Sequence, residues 1–178
     1  MQRPYFLLST IILSLFLIGC ATSANAQPQD VKALDANPSA DCPVTLPGSK
    51  SFEPSVPSLP TEAFPGEFWF GTENLWTSLP NDGVWSGLPN NPDGYTQKIF
   101  WWSERFSLKD ELEPDLVVFG ERLDGESSPL KVSKATNASA SDIGSAMLVG
   151  VDFPTSGCWE ITGQYKKTGL TFVLWVEP

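Results

Sequence analysis

Three successive runs near the C-terminus alternate apolar and polar residues with a period of two, and nothing else in the chain constrains its fold as tightly. In 143–153, Ile143, Met147, Val149, Val151 and Phe153 fall on one face together with Ser145. In 158–165, Trp159, Ile161 and Tyr165 share a face with Gly163, and in 170–176 Leu170, Phe172, Leu174 and Val176 do the same. Side chains alternate across a strand, so this is the pattern that one-sided burial imposes. Burial of a Phe, Leu or Val side chain contributes about 1.5–3 kcal/mol, which makes these faces the source of the fold's stability. Cys158 falls opposite Trp159, on the exterior side of its strand.

The stretch from Gly66 to Pro178 has the size of one small domain, about 110 residues. It reads as β throughout. Short runs rich in Val, Ile, Phe, Trp and Thr are separated by Asn81-Asp82-Gly83, Asn90-Asn91-Pro92-Asp93-Gly94, Asp124-Gly125 and Thr168-Gly169. These are turn residues, and several strands at this spacing predict an all-β sandwich or barrel. No window carries apolar residues at helical spacing over a helical length. The last segment, Phe153-Pro154-Thr155-Ser156-Gly157-Cys158-Trp159-Glu160-Ile161-Thr162 followed by Leu170-Thr171-Phe172-Val173-Leu174-Trp175-Val176, resembles the final two strands of bacterial Ig-like domains. That resemblance implies an Ig-like antiparallel β-sandwich over 66–178. Cys158-Trp159 stands where that family has a lone aromatic. An Ig-like sandwich hosts many roles and does not specify one.

Upstream the composition changes. Half of the sixteen prolines lie between Gln27 and Pro65. Proline removes a ladder donor and favours extended polyproline II, so 20–65 reads as a tether that ends in a strap. Val44, Leu46, Phe52, Val56 and Leu59 supply apolar contacts for a strap laid along the domain. The free part, 21–41, spans about 25 Å as a coil and about 70 Å fully extended.

At the N-terminus a short region with Arg3 precedes an apolar run from Tyr5 to Ile18. It is shorter than the roughly 20 residues a spanning helix needs. It has the layout of a secretory signal. Leu17-Ile18-Gly19-Cys20 resembles the lipobox of bacterial lipoproteins. The resemblance implies a signal peptide over 1–19, cleavage before Cys20 and acylation of that cysteine with fatty chains such as palmitate. It implies a lipid-anchored, extracytoplasmic location in the cell envelope. Ala21 after the cysteine implies the outer membrane in an organism that has one. Ala24-Asn25-Ala26 offers an ordinary secretory cut before Gln27 as the alternative.

All 21 acidic residues follow Cys20, and Arg3 leaves with the signal, so the mature chain carries 10 basic against 21 acidic residues, a net −11. This charge disfavours nucleic acid and anionic lipid surfaces as partners. With Cys20 consumed by lipid, Cys42 and Cys158 remain as a disulfide pair in an oxidising compartment, or as two free thiols in a reducing one. A metal centre is not expected, because the chain has no histidine and two cysteines cannot complete a tetrahedral set.

Candidate sites are few. Phe68 to Phe106 holds ten aromatics, and the adjacent Trp101 and Trp102 must point to opposite faces of a strand. One enters the core; the other is exposed, covered by the strap, or part of a binding patch. Trp76, Trp85, Trp101 and Trp102 are therefore both core candidates and the candidate ligand platform. The Asn81-Asp82-Gly83 and Asn90–Gly94 turns offer oxygens to calcium, but tight turns explain those residues without an ion. Lack of histidine removes Ser-His-Asp and Cys-His catalysis. Glu104, Glu111, Glu113 and Asp115 could supply the two acids, about 5–9.5 Å apart, that glycoside hydrolysis needs. Acidic surface loops explain them equally, so no catalytic role and no cofactor are expected. Asn137-Ala138-Ser139 matches a glycosylation sequon that a bacterial lipoprotein does not use. The expectation is a non-catalytic binding or assembly role towards another envelope protein. A glycan- or cell-wall-binding module using exposed tryptophans is the alternative, and an extracellular protease inhibitor is a third.

Overall fold

A computed structural model describes residues 41–48, 52–55 and 63–178. The lipobox, Cys20 and nearly all of the free tether lie outside the described residues, as do Val56 and Leu59 of the strap. Asp35–Pro178 forms one compact unit; the other, Met1–Leu34, falls outside the description. Among the described residues there is no α-helix, and hence none long and apolar enough to cross a membrane.

Among the described residues eleven strands form two sheets. The larger contains β1 (Glu67–Thr72), β2 (Leu75–Pro80), β4 (Asn90–Asn91), β5 (Gly94–Trp102), β7 (Lys131–Val132), β8 (Thr136–Ala140) and β9 (Gly144–Phe153). Its order is β1-β2-β5-β9, with β7 and β8 both pairing along the far side of β9. The smaller contains β3 (Val84–Trp85), β6 (Leu116–Arg122), β10 (Gly157–Tyr165) and β11 (Thr168–Val176), in the order β3-β11-β10-β6. All pairings are antiparallel except β3 with β11. The protein is a β-sandwich. Placing β5, β9 and β7–β8 in one sheet and β6, β10 and β11 in the other accords with the Ig-like order.

The alternation of the C-terminal runs is what fills the space between the sheets. Met147, Val149, Val151 and Phe153 of β9 meet Trp159, Ile161 and Tyr165 of β10 and Leu170, Phe172, Leu174 and Val176 of β11 in one core. Gly163 belongs to the same face because Trp101 needs its space: a Cβ there would lie 2.4 Å from the Trp101 ring. The expectation for Ile143 requires correction. It precedes β9, which starts at Gly144 with φ +59°, and so lies outside the strand's alternation. Ile143 packs instead into a second cluster on the outer face of the larger sheet.

That second cluster joins Trp69, Trp76, Trp102, Ile143 and Ala146. The strap covers it. Phe52 lies 5.2 Å from Trp76 between ring centroids, and Phe64 lies 6.5 Å from Trp102. A few residues upstream the strap is tied to the smaller sheet. Cys42 and Cys158 form a disulfide with Cα atoms 5.7 Å apart, on the outward side of β10 as the position opposite Trp159 predicted. The Thr45 amide donates to the Val173 carbonyl at 2.8 Å, and the Val173 amide donates to Thr45 Oγ1 at 2.9 Å. Leu46, expected to pack in the strap, is exposed instead.

Candidate functional site

The four tryptophans proposed as a ligand platform are all inside. Trp76, Trp101 and Trp102 have no solvent exposure, and Trp85 retains 7%. Trp101 enters the inter-sheet core and Trp102 the strapped cluster, which realises the opposite-face requirement with neither of the two left at the surface. Trp102 Nε1 donates to the Ile143 carbonyl at 2.9 Å. A flat platform built on Trp76, Trp85, Trp101 and Trp102 therefore does not exist at the surface. Its place is taken by the strap: Phe52, Ala63 and Phe64 satisfy the outer apolar face of the larger sheet.

Exposed apolar surface gathers elsewhere, on β6. Leu116 and Val118 face the core, while Val117 is 56% exposed and Phe119 48% exposed. Leu123, one residue past the strand, continues the outward row, and its amide donates to the Cys158 carbonyl at 2.8 Å. Glu121 completes the row and stands in register with Glu160 of β10. The outward row is thus Val117, Phe119, Glu121 and Leu123. Beside it Thr162 and Thr171 join their hydroxyls at 2.8 Å across β10 and β11, giving a flat, half-polar floor. β6 ends the smaller sheet, and among the described residues no strand pairs with its other edge. A groove beside that edge is lined by Gly120, Glu121, Arg122 and the facing segment Gly125–Pro129, including Glu126. Arg122, the cation there, is held by Asp124 at 2.7 Å.

The acidic residues considered for hydrolysis are occupied in other ways. Glu111 accepts hydrogen bonds from Tyr165 Oη at 2.6 Å and from Lys166 Nζ at 2.7 Å. Partial burial pushes the Glu111 carboxyl up, but the bonds from Lys166 and Tyr165 outweigh it and hold its pKa below the usual carboxylate value. Burial and the Glu111 contact raise the Tyr165 phenol, and the Glu111 bond raises Lys166. Glu113 is lowered by its hydrogen bond and charge contact with Lys134. Both carboxyls stay ionised at neutral pH, whereas a glycosidase general acid needs a raised pKa. Glu104 and Asp115 are exposed.

This cluster instead holds the β10–β11 hairpin. Tyr165 pairs with Thr168, leaving Lys166 and Lys167 as a two-residue turn. Lys166 has φ +53°, an unusual conformation for a residue with a Cβ, and its ammonium is anchored on Glu111 and on the Arg105 carbonyl.

The two turns considered for calcium spend oxygens on themselves. Asp82 Oδ1 accepts from the Val84 amide at 3.0 Å, and Asn91 Oδ1 accepts from the Asp93 amide at 2.8 Å. Asp93 also pairs with Lys131. Among the described residues no group of three or more Asp, Glu, Cys or His side chains is placed to hold a metal.

Sequence reasoning did not single out Val117, Phe119 or Leu123. Leu116-Val117-Val118-Phe119 is a continuous apolar run, which reads as a strand buried on both faces. The one signal against that reading is the Glu121 and Leu123 that follow on the same parity as Phe119, an odd continuation for an interior face. Compared with protein-family models, curated proteins and solved structures, the chain matches none of them.

Proposed function

We propose that this chain is a lipid-anchored envelope protein whose β-sandwich docks another envelope protein without catalysing a reaction. The observation that carries the reading is the outward row of β6: Val117 and Phe119 are exposed side by side on a regular strand, with Leu123 beyond Glu121 at its end. Contiguous apolar side chains on a flat strand face mark interaction surfaces more often than chance exposure. The extracytoplasmic setting draws on the lipobox at Leu17–Cys20 and on the Cys42–Cys158 disulfide, which persists in oxidising compartments. The strap then serves two purposes in one segment. It completes the fold, and it brings the chain from the membrane to the sandwich along a bonded path.

The test is crosslinking on intact envelopes with capture through a C-terminal tag, followed by mass spectrometry. A single reproducible protein partner, lost when Phe119 is replaced by Thr, is the expected result. Recovery of polysaccharide fragments without a protein would overturn the reading in favour of the glycan module. That module no longer has surface tryptophans among Trp76, Trp85, Trp101 and Trp102 to rest on.

A further inference from the structure

We propose that the open edge of β6 receives a basic, extended segment of the partner protein as an added β-strand, with its apolar side chains on Val117 and Phe119 and its cations against Glu121 and Glu126. This rests on the binding role proposed above and specifies its geometry.

The direction of the free backbone groups carries the first part. The Leu123 amide bonds to Cys158 across the β6–β10 register. In an antiparallel ladder bonded and non-bonded pairs alternate, so Leu123, Glu121, Phe119 and Val117 send their N–H and C=O groups to β10. Leu116, Val118, Gly120 and Arg122 then send theirs to the open edge. An unpaired edge of this kind is a template for another strand. Chains that must stay unpaired blunt such an edge with lysine, proline or a bulge. From Leu116 to Gly120 the strand has none of these: it runs Leu-Val-Val-Phe-Gly, in unbroken register with β10. Two other edge stretches differ: β11 beside the short β3 takes the Thr45–Val173 bonds of the strap, and β8 is polar. An apolar edge left open on an exported protein is an aggregation liability unless something occupies it in place.

Charge decides what occupies it. Glu121 faces Glu160 directly across the sheet, and like charges in register are destabilising. Glu126 adds a third carboxylate in the groove, while Arg122 is neutralised by Asp124. A second copy of this chain would add its own Glu121 and Glu160 carboxylates to a seam that is already acidic. Only every second residue of an added strand reaches the outward face. A segment whose outward positions carry Lys or Arg beside Glu121 and apolar residues beside Phe119 and Val117 therefore relieves the repulsion. Main-chain pairing with such alternate side-chain contacts is the way strand addition achieves affinity and specificity.

The test uses the full chain and the eight-residue peptide Thr-Lys-Thr-Lys-Thr-Val-Thr-Val, with the peptide carrying Glu for Lys as control. In antiparallel register the former sets its Lys side chains by Glu121 and its Val side chains by Phe119 and Val117 on one face. Amide exchange is read at Val118 and Gly120, and affinity by anisotropy of the labelled peptide. The expected result is protection of those two amides by about tenfold or more, and an affinity loss of about tenfold in both Phe119→Thr and Glu121→Lys at a melting temperature no lower than the parent's. The proposal is overturned by equal binding of the Glu-for-Lys peptide, by binding without protection at Val118 and Gly120, or by no binding at all. Concentration-dependent protection of the same amides without peptide would assign the edge to a second copy and also overturn it. Failure of the wider reading is read separately. A protein crosslinked in envelopes only through positions remote from β6, such as Thr136, keeps the docking role and removes the edge from it.

Discussion

Gly163 shows how much a single position decides here. Its missing side chain is occupied by the Trp101 ring from the opposite sheet, and any Cβ would sit 2.4 Å from that ring. Gly163→Ala is expected to destabilise the domain by about 1–3 kcal/mol, since an indole locked at zero exposure cannot yield without repacking. Gly169→Ala is the matched control, because nothing approaches a Cβ there closer than 4.0 Å. Chemical denaturation of both variants checks the difference. Glu111 makes a second prediction at this scale. Its folded pKa lies below the usual 4.5, so the stability it contributes is fully present above that value and is lost as pH falls through the folded pKa. Urea titrations between neutral pH and pH 3 should show Glu111→Gln losing less stability on acidification than the parent chain. The sequence made plain that Trp101 and Trp102 face opposite ways. It did not say which would be covered, because the cover comes from Phe52 and Phe64, distant in the chain and themselves without a periodic pattern.

At the scale of elements the strap is the part whose role goes beyond its composition. Proline-rich sequence predicts extended backbone and nothing about what it lies on. The disulfide, the Thr45–Val173 pair of bonds and the Phe52 and Phe64 contacts fix it to both sheets. The Cys42–Cys158 bond spans 116 residues, and the chain-entropy model gives about 4–5 kcal/mol for a loop of that length. Reduction, or Cys42→Ser with Cys158→Ser, should lower the denaturation midpoint by an amount approaching that figure. Tryptophan emission should also move to longer wavelength before global unfolding, as the strap lifts from Trp76 and Trp102. Emission that changes only with the global transition would mean that the aromatic contacts hold the strap without the bond. Val117 and Phe119 of β6 were not singled out for a related reason. A run of four apolar residues fits an interior strand, and only its place at the end of β3-β11-β10-β6 exposes Val117 and Phe119.

Over the whole molecule, charge sets the terms of any encounter. With a net −10 on the full chain and the carboxylates of Glu121, Glu160 and Glu126 beside the open edge, association with a basic segment should weaken as salt rises. Titrations from 50 mM to 500 mM salt check this, and an affinity indifferent to salt would leave only apolar contact. The proposed lipid anchor is tested by Cys20→Ser, which should abolish incorporation of labelled palmitate and release the chain from membranes. What the sequence by itself determined is the β class, the three alternating C-terminal strands, the outward position of Cys158 and the acidic surplus. Each of these follows from local periodicity or composition, which a linear chain carries in full. What only the tertiary structure decided is which faces find cover: the strap over Trp69, Trp76 and Trp102, and the open row of Val117, Phe119 and Leu123. Burial of a face depends on a neighbour brought from far along the chain, and periodicity says which side chains share a face without saying what, if anything, will meet it.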